Sequence, residues 1–126
     1  VALISFSNFG NPDIERSHIV RDAVAVLDRR KVNFEYDGEM GADVALNAEL
    51  MRLYPFCRLS GPANVLIMPG LHSAHVSTRL MHELGGGTVI GAIVIGLSKP
   101  VQIVPQGATV NDIVNMAAIA AYSSAS

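Results

Sequence analysis

Short apolar runs alternate with longer amphipathic segments along most of this chain, and that alternation constrains the fold more than any other feature. Residues typical of strands occupy the ranges 2–6, 33–36, 64–68, 88–95 and 101–104. Helical periodicity occupies the ranges 14–30, 42–53, 72–84 and 109–121. Strands that alternate with helices favour a largely parallel sheet with helices on its faces. The sequence therefore predicts an α/β domain.

The same pattern carries expectations about individual elements. The continuous apolar run 64–68 predicts a strand that is buried on both faces. The close succession of 88–95 and 101–104 predicts a hairpin at one edge of the sheet. Asn11 is expected to cap the first helix, whose first turn would begin at Pro12.

The composition argues against several classes of protein. Half of the 126 residues are hydrophobic and 16% are charged, which suits a packed core and not a disordered chain. The net charge of −2 comes without a basic run, which argues against a nucleic-acid partner. No apolar run has the length of a membrane span. The single cysteine, Cys57, excludes an internal disulfide and fits a reducing compartment, so we expect a cytoplasmic location.

The two ends of the chain suggest a piece of a longer polypeptide. Val1 to Phe6 already has the pattern of a strand, with no initiator methionine before it. Tyr122 to Ser126 has the composition of a fraying helix end. We therefore expect further chain before Val1, and part of any active site with it.

The stretch from Pro105 to Asp112 has the pattern of a tight turn that opens a helix. An apolar run stops at Pro105, Gln106 and Gly107 follow, and helical periodicity begins after Thr109. Such a turn directs unpaired N–H groups and the positive end of a helix dipole at an anionic or carbonyl group, with Asp112 nearby as a base or acceptor. The alternative is local, because Thr109 and Asp112 are also spaced as a capping-box variant.

Other polar residues have weaker patterns. Asp37 and Glu39 follow a predicted strand, where two carboxylates would suit acid–base chemistry or Mg²⁺, although Asp-Gly more often marks a turn. His72 and His75 lack the further ligands of a zinc site, so we interpret them as exposed helix residues and expect no metal. The glycines 85–87 precede a predicted strand, which is the reverse of a dinucleotide fingerprint, and are expected to end a helix.

Several of these segments together resemble the phosphate acetyltransferase/butyryltransferase family. The segments are ALISFS at 2–7, YDGEM at 36–40, SGPANVLIMPGLHS at 60–73, LGGGTVIGAIVIGLSKPV at 84–101 and GATVNDIVNMAAIAA at 107–121. They span most of the chain in order and correspond to the C-terminal part of that family's domain. The resemblance implies a two-lobed, three-layer α/β/α sandwich, with a cleft that accepts coenzyme A thioesters.

The chain departs from the active members of that family at two loops. At the turn before the last helix, the active members resemble the pattern Ser-Arg-Gly-Cys-Ser followed by an Asp. Here Pro105 stands at the position of the first Ser and Gln106 at the position of the Arg. Asp112 matches the Asp that serves as base for the CoA thiol. At the loop after the first strand, the active members resemble Ser-Thr-Lys-Gly, whereas this chain has Ser7–Gly10 with the sequence Ser-Asn-Phe-Gly. The lysine of that pattern is therefore a second missing cation. Efficient acyl transfer is hard to support without these groups, because fixed donors to developing charge contribute about 3 kcal/mol each.

A narrower resemblance fits these departures. PANVLIMPGLHSAHVS, KPVQIVPQGATVNDIVNMAA and the SNFG loop resemble the C-terminal domain of bacterial NADP-dependent malic enzymes. In that family the extra domain is thought to sense acetyl-CoA and to support oligomer assembly. The resemblance implies that malate oxidation, with its NADP and its Mg²⁺ or Mn²⁺, belongs to another part of the polypeptide.

These patterns and resemblances lead to one expectation and two alternatives. The expected function is a regulatory domain that binds acetyl-CoA or a related acyl-CoA within a homo-oligomer, in contact with the rest of its own chain. The residues expected to bind the acyl-CoA are Ser7, Asn8, Gln106, Gly107, Thr109 and Asp112. The first alternative is a working phosphate acetyl- or butyryltransferase with Asp112 as its catalytic base. The second is a purely structural assembly domain.

Overall fold

The computed structural model describes residues 1–124, and they form two compact units, Val1–Ser77 and the residues from Thr78 onward. In the first unit, β1 (Ala2–Ile4), β2 (Asp37–Met40) and β3 (Leu66–Ile67) form a parallel sheet with the order β2-β1-β3. Parallel pairing confirms the fold class predicted from the alternation of strands and helices.

The helices fall close to their predicted positions. They are α1 (Glu15–Asp28), α2 (Ala42–Leu46), α3 (Ala48–Met51), α4 (Leu71–Gly85) and α5 (Val110–Ser124). The predicted helix 42–53 is divided at Asn47, whose side chain accepts hydrogen bonds from the N–H groups of Glu49 and Leu50 and so caps α3. Within the described residues, no helix combines the length and the apolar character needed to cross a bilayer.

The two faces of β1 carry different clusters of buried side chains. Leu3 packs with Val20 and Val24 of α1 on one face. The cluster on the other face consists of Ala2, Ile4, Met40, Val44, Ala45, Met51 and Leu59. Since successive strand residues point to opposite sides, helices cover both faces of the sheet. This arrangement is the three-layer sandwich that the family resemblance implies.

Close packing of β1 against β2 depends on a glycine. Leu3 is paired with Gly38, which has a φ of +153°. A Cβ atom added to Gly38 would lie 2.6 Å from the Leu3 carbonyl oxygen. Only glycine therefore lets the two backbones approach this closely.

The second strand begins later than predicted. The range 33–36 does not pair, and β2 starts at Asp37, whose N–H donates to the Val1 carbonyl. The regular pairing starts where Ala2 meets Asp37, and before it the Glu35 carbonyl accepts from the Val1 amino group at 2.7 Å. Residues 37–39, which resembled a turn in the sequence, are instead part of the sheet.

Two further expectations are wrong. Asn11 does not cap α1, because its N–H and carbonyl are bonded to Asn8, and the helix begins at Glu15 without a side-chain cap. The strand in the range 64–68 is not buried on both faces, since β3 lies at the sheet edge and Ile67 is 49% exposed.

The second unit contains the end of α4, the helix α5 and, between them, the segments 88–95 and 101–104, which were predicted to form a hairpin. Neither segment forms a strand, because β-branched residues need a neighbouring backbone and Gly91 has a φ of +127°. One side chain links them: the Gln102 amide accepts from Val94 N–H at 3.1 Å and donates to its carbonyl at 3.4 Å. The predicted fraying helix end at 122–126 lies partly outside the described residues.

Candidate functional site

The strand order of the first unit defines a position where ligands commonly bind. The chain leaves β1 for β2 on one side and then crosses to β3 on the other side of β1. In open parallel sheets, ligands bind at the carboxyl ends of the strands where the order reverses in this way. The loop Ser7–Gly10 follows β1, and the turn Pro69–Gly70 follows β3. These two segments therefore line the expected binding position of the first unit.

The loop Ser7–Gly10 is held by hydrogen bonds to Glu39 of β2 and to Gly41, just after that strand. Glu39 Oε1 accepts hydrogen bonds from the Ser7 hydroxyl at 2.8 Å and from Gly10 N–H at 3.0 Å. Phe9 N–H donates to the Glu39 carbonyl at 2.8 Å. Asn8 Oδ1 accepts from Gly41 N–H at 2.7 Å. Every residue of the loop is thus bonded to the end of one neighbouring strand.

Burial separates the two residues of this loop that were predicted to bind acyl-CoA. Ser7 is fully buried, and its hydroxyl is donated to Glu39. Asn8 is partly exposed. A ligand at the carboxyl end of β1 would therefore meet Asn8 and the loop backbone, whereas Ser7 supports the loop from inside.

Glu39 is a fully buried carboxylate with a matched positive charge. Arg21 of α1 donates to both of its oxygens, from Nε at 3.1 Å and from Nη2 at 3.0 Å, and also donates to Asp13. Burial alone would raise the pKa of Glu39, but hydrogen bonds from Arg21, Ser7 and Gly10 outweigh burial and lower the pKa. The pKa of Arg21 is raised by Glu39 and then by Asp13. Both groups are consequently charged at neutral pH.

The other carboxylate of β2 has a separate partner. Asp37 is 5% exposed and accepts from the Arg58 N–H at 2.7 Å and from its guanidinium at 3.3 Å. Arg58 also bonds Asp28 and stacks 4.9 Å above the centre of the Tyr36 ring. Asp37 and Glu39 are therefore taken by two different arginines. Throughout residues 1–124, no group of three or more His, Cys, Asp or Glu side chains is placed to hold a metal ion.

An aromatic cluster adjoins the loop. Phe9 takes the position of the lysine in the pattern Ser-Thr-Lys-Gly that the family resemblance implies. Its ring centre lies 5.3 Å from Tyr54 and 5.0 Å from Phe56. Phe56 is 63% exposed. The replacement turns a cationic position into an apolar one.

The turn before α5, in the second unit, forms a capping box. Asp112 Oδ2 accepts from both the N–H and the hydroxyl of Thr109 at 2.8 Å, and Asp112 N–H donates to the Thr109 hydroxyl at 3.2 Å. The hydrogen bonds from Thr109 lower the pKa of Asp112, and the bond from the Thr109 backbone N–H has the largest effect. Gln106 and Gly107 are exposed in the preceding turn, where Ala108 N–H donates to Pro105.

The predicted acyl-CoA residues thus form two groups. Ser7 and Asn8 belong to the first unit, and the group in the second unit consists of Gln106, Gly107, Thr109 and Asp112. Ser7 and Asn8 are bonded to Glu39 and Gly41, and Thr109 is bonded to Asp112. The predicted residues are therefore described as two separate groups, one in each unit.

The remaining polar candidates lie as predicted. His72 and His75 are exposed on α4, and Gly85 ends that helix. A groove of about 710 Å³ lies in the second unit, and its lining includes Leu80, Met81, Leu84, Val89 and Ile90. The groove is mostly apolar and does not include the predicted acyl-CoA residues.

Sequence reasoning missed the pair Arg21–Glu39. A signal was available, because Arg21 lies beside Ser17, Val20 and Val24, which form the buried stripe of α1. A charged residue at the edge of a buried stripe indicates a partner of opposite charge inside the protein.

Comparisons with known proteins agree with this structure. Residues 1–121 match the family model described as phosphate acetyl/butaryl transferase. The chain is 62% identical over 123 residues to an NADP-dependent malic enzyme of Rhizobium meliloti, covering 98% of this chain and 16% of that enzyme. It is 36% identical to a phosphate acetyltransferase of Paracoccus denitrificans, covering 96% of this chain and 38% of that protein.

Solved structures give the same result. A phosphotransacetylase from Streptococcus pyogenes matches with a TM-score of 0.90 at 30% identity, over 98% of this chain and 38% of that one. The EutD phosphotransacetylase from Staphylococcus aureus matches with a TM-score of 0.88 at 27% identity, over 98% and 39%. The chain thus spans about a sixth of the malic enzyme and well under half of the transferases that it matches. With nearly its whole length matched by one family model, the chain belongs to the phosphate acetyl/butaryl transferase family.

Proposed function

We propose that this chain is the phosphotransacetylase-like part of an NADP-dependent malic enzyme, where it binds acetyl-CoA and regulates malate oxidation. The proposal is supported by 62% identity to the Rhizobium meliloti enzyme, of which the chain covers 16%. The remaining length of such an enzyme has room for the NADP site and its divalent metal. We further propose that the enzyme is a cytoplasmic homo-oligomer.

The observation that carries the proposal is the turn before α5. The family resemblance implies a Ser and an Arg at positions 105 and 106 of an active transferase. Here Pro105 has neither a hydroxyl nor an N–H, and Gln106 has no charge. Asp112 Oδ2 is occupied by two bonds from Thr109, and the pKa of Asp112 is lowered. A carboxylate stabilised in its charged form is a weak base for a thiol whose ordinary pKa is about 8.5. Binding of a thioester requires no nucleophilic hydroxyl, no fixed cation and no base.

The binding groups for acetyl-CoA are backbone and amide donors. In the first unit, the N–H groups of Ser7 to Gly10 already donate within the protein, so the side-chain amide of Asn8 is the group that would meet a ligand at the strand-order reversal. In the second unit, the exposed residues Gln106 and Gly107 would meet it in the turn before α5. Acetyl-CoA regulates the enzyme if it binds one assembly state better than another, because a ligand shifts an equilibrium only through differential affinity.

A first experiment tests catalysis directly. The full-length enzyme is incubated with acetyl-CoA and inorganic phosphate, and acetyl phosphate and free CoA thiol are measured. We expect neither product above the rate of an enzyme-free control. Sustained formation of both would favour the second candidate, an active transferase, which is itself supported by the carboxylate at Asp112 and by 36% identity to a phosphate acetyltransferase. Calorimetry that shows no heat with acetyl-CoA would leave only the structural role.

A second experiment tests regulation. Asp112→Ala removes the acceptor that orders the turn, so we expect acetyl-CoA inhibition of malate-dependent NADPH formation to weaken about fivefold or more. Asn111→Ala, an exposed neighbour in the same helix, is the matched control and should behave as the unaltered enzyme. Unchanged inhibition in Asp112→Ala would reduce Asp112 to a helix cap.

A further inference from the structure

We propose that Glu39 is a positioning residue that holds the loop Ser7–Gly10 in the shape that binds acyl-CoA. The inference rests on the proposed function for its ligand and on the first unit alone for its geometry. It gives a role to the buried carboxylate of Glu39, which is neither the predicted catalytic base nor part of the turn before α5.

The first step is that Glu39 contacts the loop at three points. Its carboxylate accepts from the Ser7 hydroxyl and from Gly10 N–H, and its backbone carbonyl accepts from Phe9 N–H. Glu39 is fully buried, so no water competes for these donors. One residue of β2 therefore anchors the beginning, the middle and the end of the loop.

The second step is that the loop needs an anchor. Phe9 has a φ of +50° and Gly10 a φ of +89°, both in the left-handed region. A side chain such as that of Phe9 rarely adopts this conformation without support from its surroundings. The bonds from Phe9 and Gly10 to Glu39 supply that support.

The third step is that Arg21 makes the anchor compatible with an anionic ligand. A lone carboxylate beneath the loop would repel the phosphates of CoA and the oxygen of its thioester. Arg21 binds both oxygens of Glu39 and packs against Gly10, where an added Cβ would lie 3.3 Å from Nη2. The negative charge is thus compensated at the point where the loop meets the ligand.

The test uses the full-length enzyme and a variant that avoids an unpaired buried charge. In the double variant Glu39→Met/Arg21→Met, apolar groups of similar volume replace the ion pair, an exchange that often preserves stability. We expect the variant to retain the fold and the bond from Phe9 N–H to the backbone carbonyl of residue 39, and to lose the two bonds that the carboxylate accepts from Ser7 and Gly10. Glu39→Gln keeps an oxygen for Ser7 and Gly10 and serves as the conservative rescue.

A control of matched chemistry lies two positions earlier in the same strand. Asp37 is also buried and also paired with an arginine, Arg58, but it does not contact the loop. Asp37→Asn should therefore lower the melting temperature and leave acetyl-CoA binding unchanged. This control separates the positioning of the loop from a general loss of stability.

Two readouts are compared, acetyl-CoA affinity by calorimetry and hydrogen exchange of residues 7–11. We expect the double variant to bind acetyl-CoA about tenfold more weakly or worse, and its loop amides to exchange about tenfold faster. Glu39→Gln should keep most of the acetyl-CoA affinity and most of the loop protection of the unaltered enzyme. The inference is overturned if the double variant keeps affinity and loop protection. If the unaltered enzyme does not bind acetyl-CoA, the proposed function fails instead, and the exchange data alone report on the anchor.

Discussion

Glu39 makes the stability of the first unit sensitive to acid. Its pKa is lowered from the ordinary value of 4.5, because the bonds from Arg21, Ser7 and Gly10 outweigh burial. A carboxyl group with a lowered pKa stabilises the folded state above its ordinary pKa, and this contribution is lost as the pH falls through the folded value.

The prediction is that Glu39→Gln flattens the pH dependence of stability in acid. The free energy of unfolding should fall less steeply below pH 4.5 in the variant than in the unaltered protein, as measured by urea unfolding across that range. Glu49→Gln, in which an exposed carboxylate of α3 is replaced, is the control and should keep the original slope. Equal slopes for Glu39→Gln and the unaltered protein would contradict the prediction.

At the residue scale, one local contact was among the interpretations of the sequence, and one long-range contact was missed. Thr109 and Asp112 are three positions apart, and their capping box was one of two open interpretations. Arg21 and Glu39 are 18 positions apart, and no local pattern joins them. Their pairing depends on α1 packing against β2, which exists only after the sheet has formed.

At the element scale, the contact between β1 and β2 gives a prediction about one glycine. Gly38→Ala places a Cβ 2.6 Å from the Leu3 carbonyl oxygen, so the strands must separate. We expect a loss of about 1–3 kcal/mol in the free energy of unfolding. Gly61→Ala is the control, because nothing lies within 4 Å of its added Cβ. Similar unfolding midpoints for the two variants would show that the strands tolerate the methyl group.

Helices were predicted better than strands for a physical reason. The hydrogen bonds of a helix lie within its own segment, so the periodicity around α1 and α4 was sufficient. A strand is completed by another segment, and the β-branched range 88–95 has none. There, the side-chain amide of Gln102 takes the place of a neighbouring backbone at Val94.

At the scale of the whole molecule, the described chain corresponds to part of the domain of its relatives. It covers 38–39% of the two solved phosphotransacetylase chains. Two of its apolar side chains, Ile95 and Ile103, are 85% and 68% exposed. Apolar residues in strand-like segments are typically covered by a neighbouring strand or helix.

We therefore expect residues 88–95 and 101–104 to be better protected in the full-length protein than in the isolated chain. Hydrogen exchange of these amides should be at least about tenfold slower in the full-length protein. Residues 7–11, whose anchor lies within the chain, should exchange equally in both. Equal exchange at 88–95 would mean that no other part of the protein covers this segment.

The sheet order has a consequence for the timing of folding. Of the three strands of this sheet, β1 comes first in the sequence, yet it is the central strand, and its second neighbour ends only at residue 67. At a synthesis rate of roughly 5–20 residues per second, about 3 to 13 s separate the completion of the two strands on the ribosome. The central strand of this sheet thus has its second edge covered only after β3 has been made, and its assembly must wait for the chain to return.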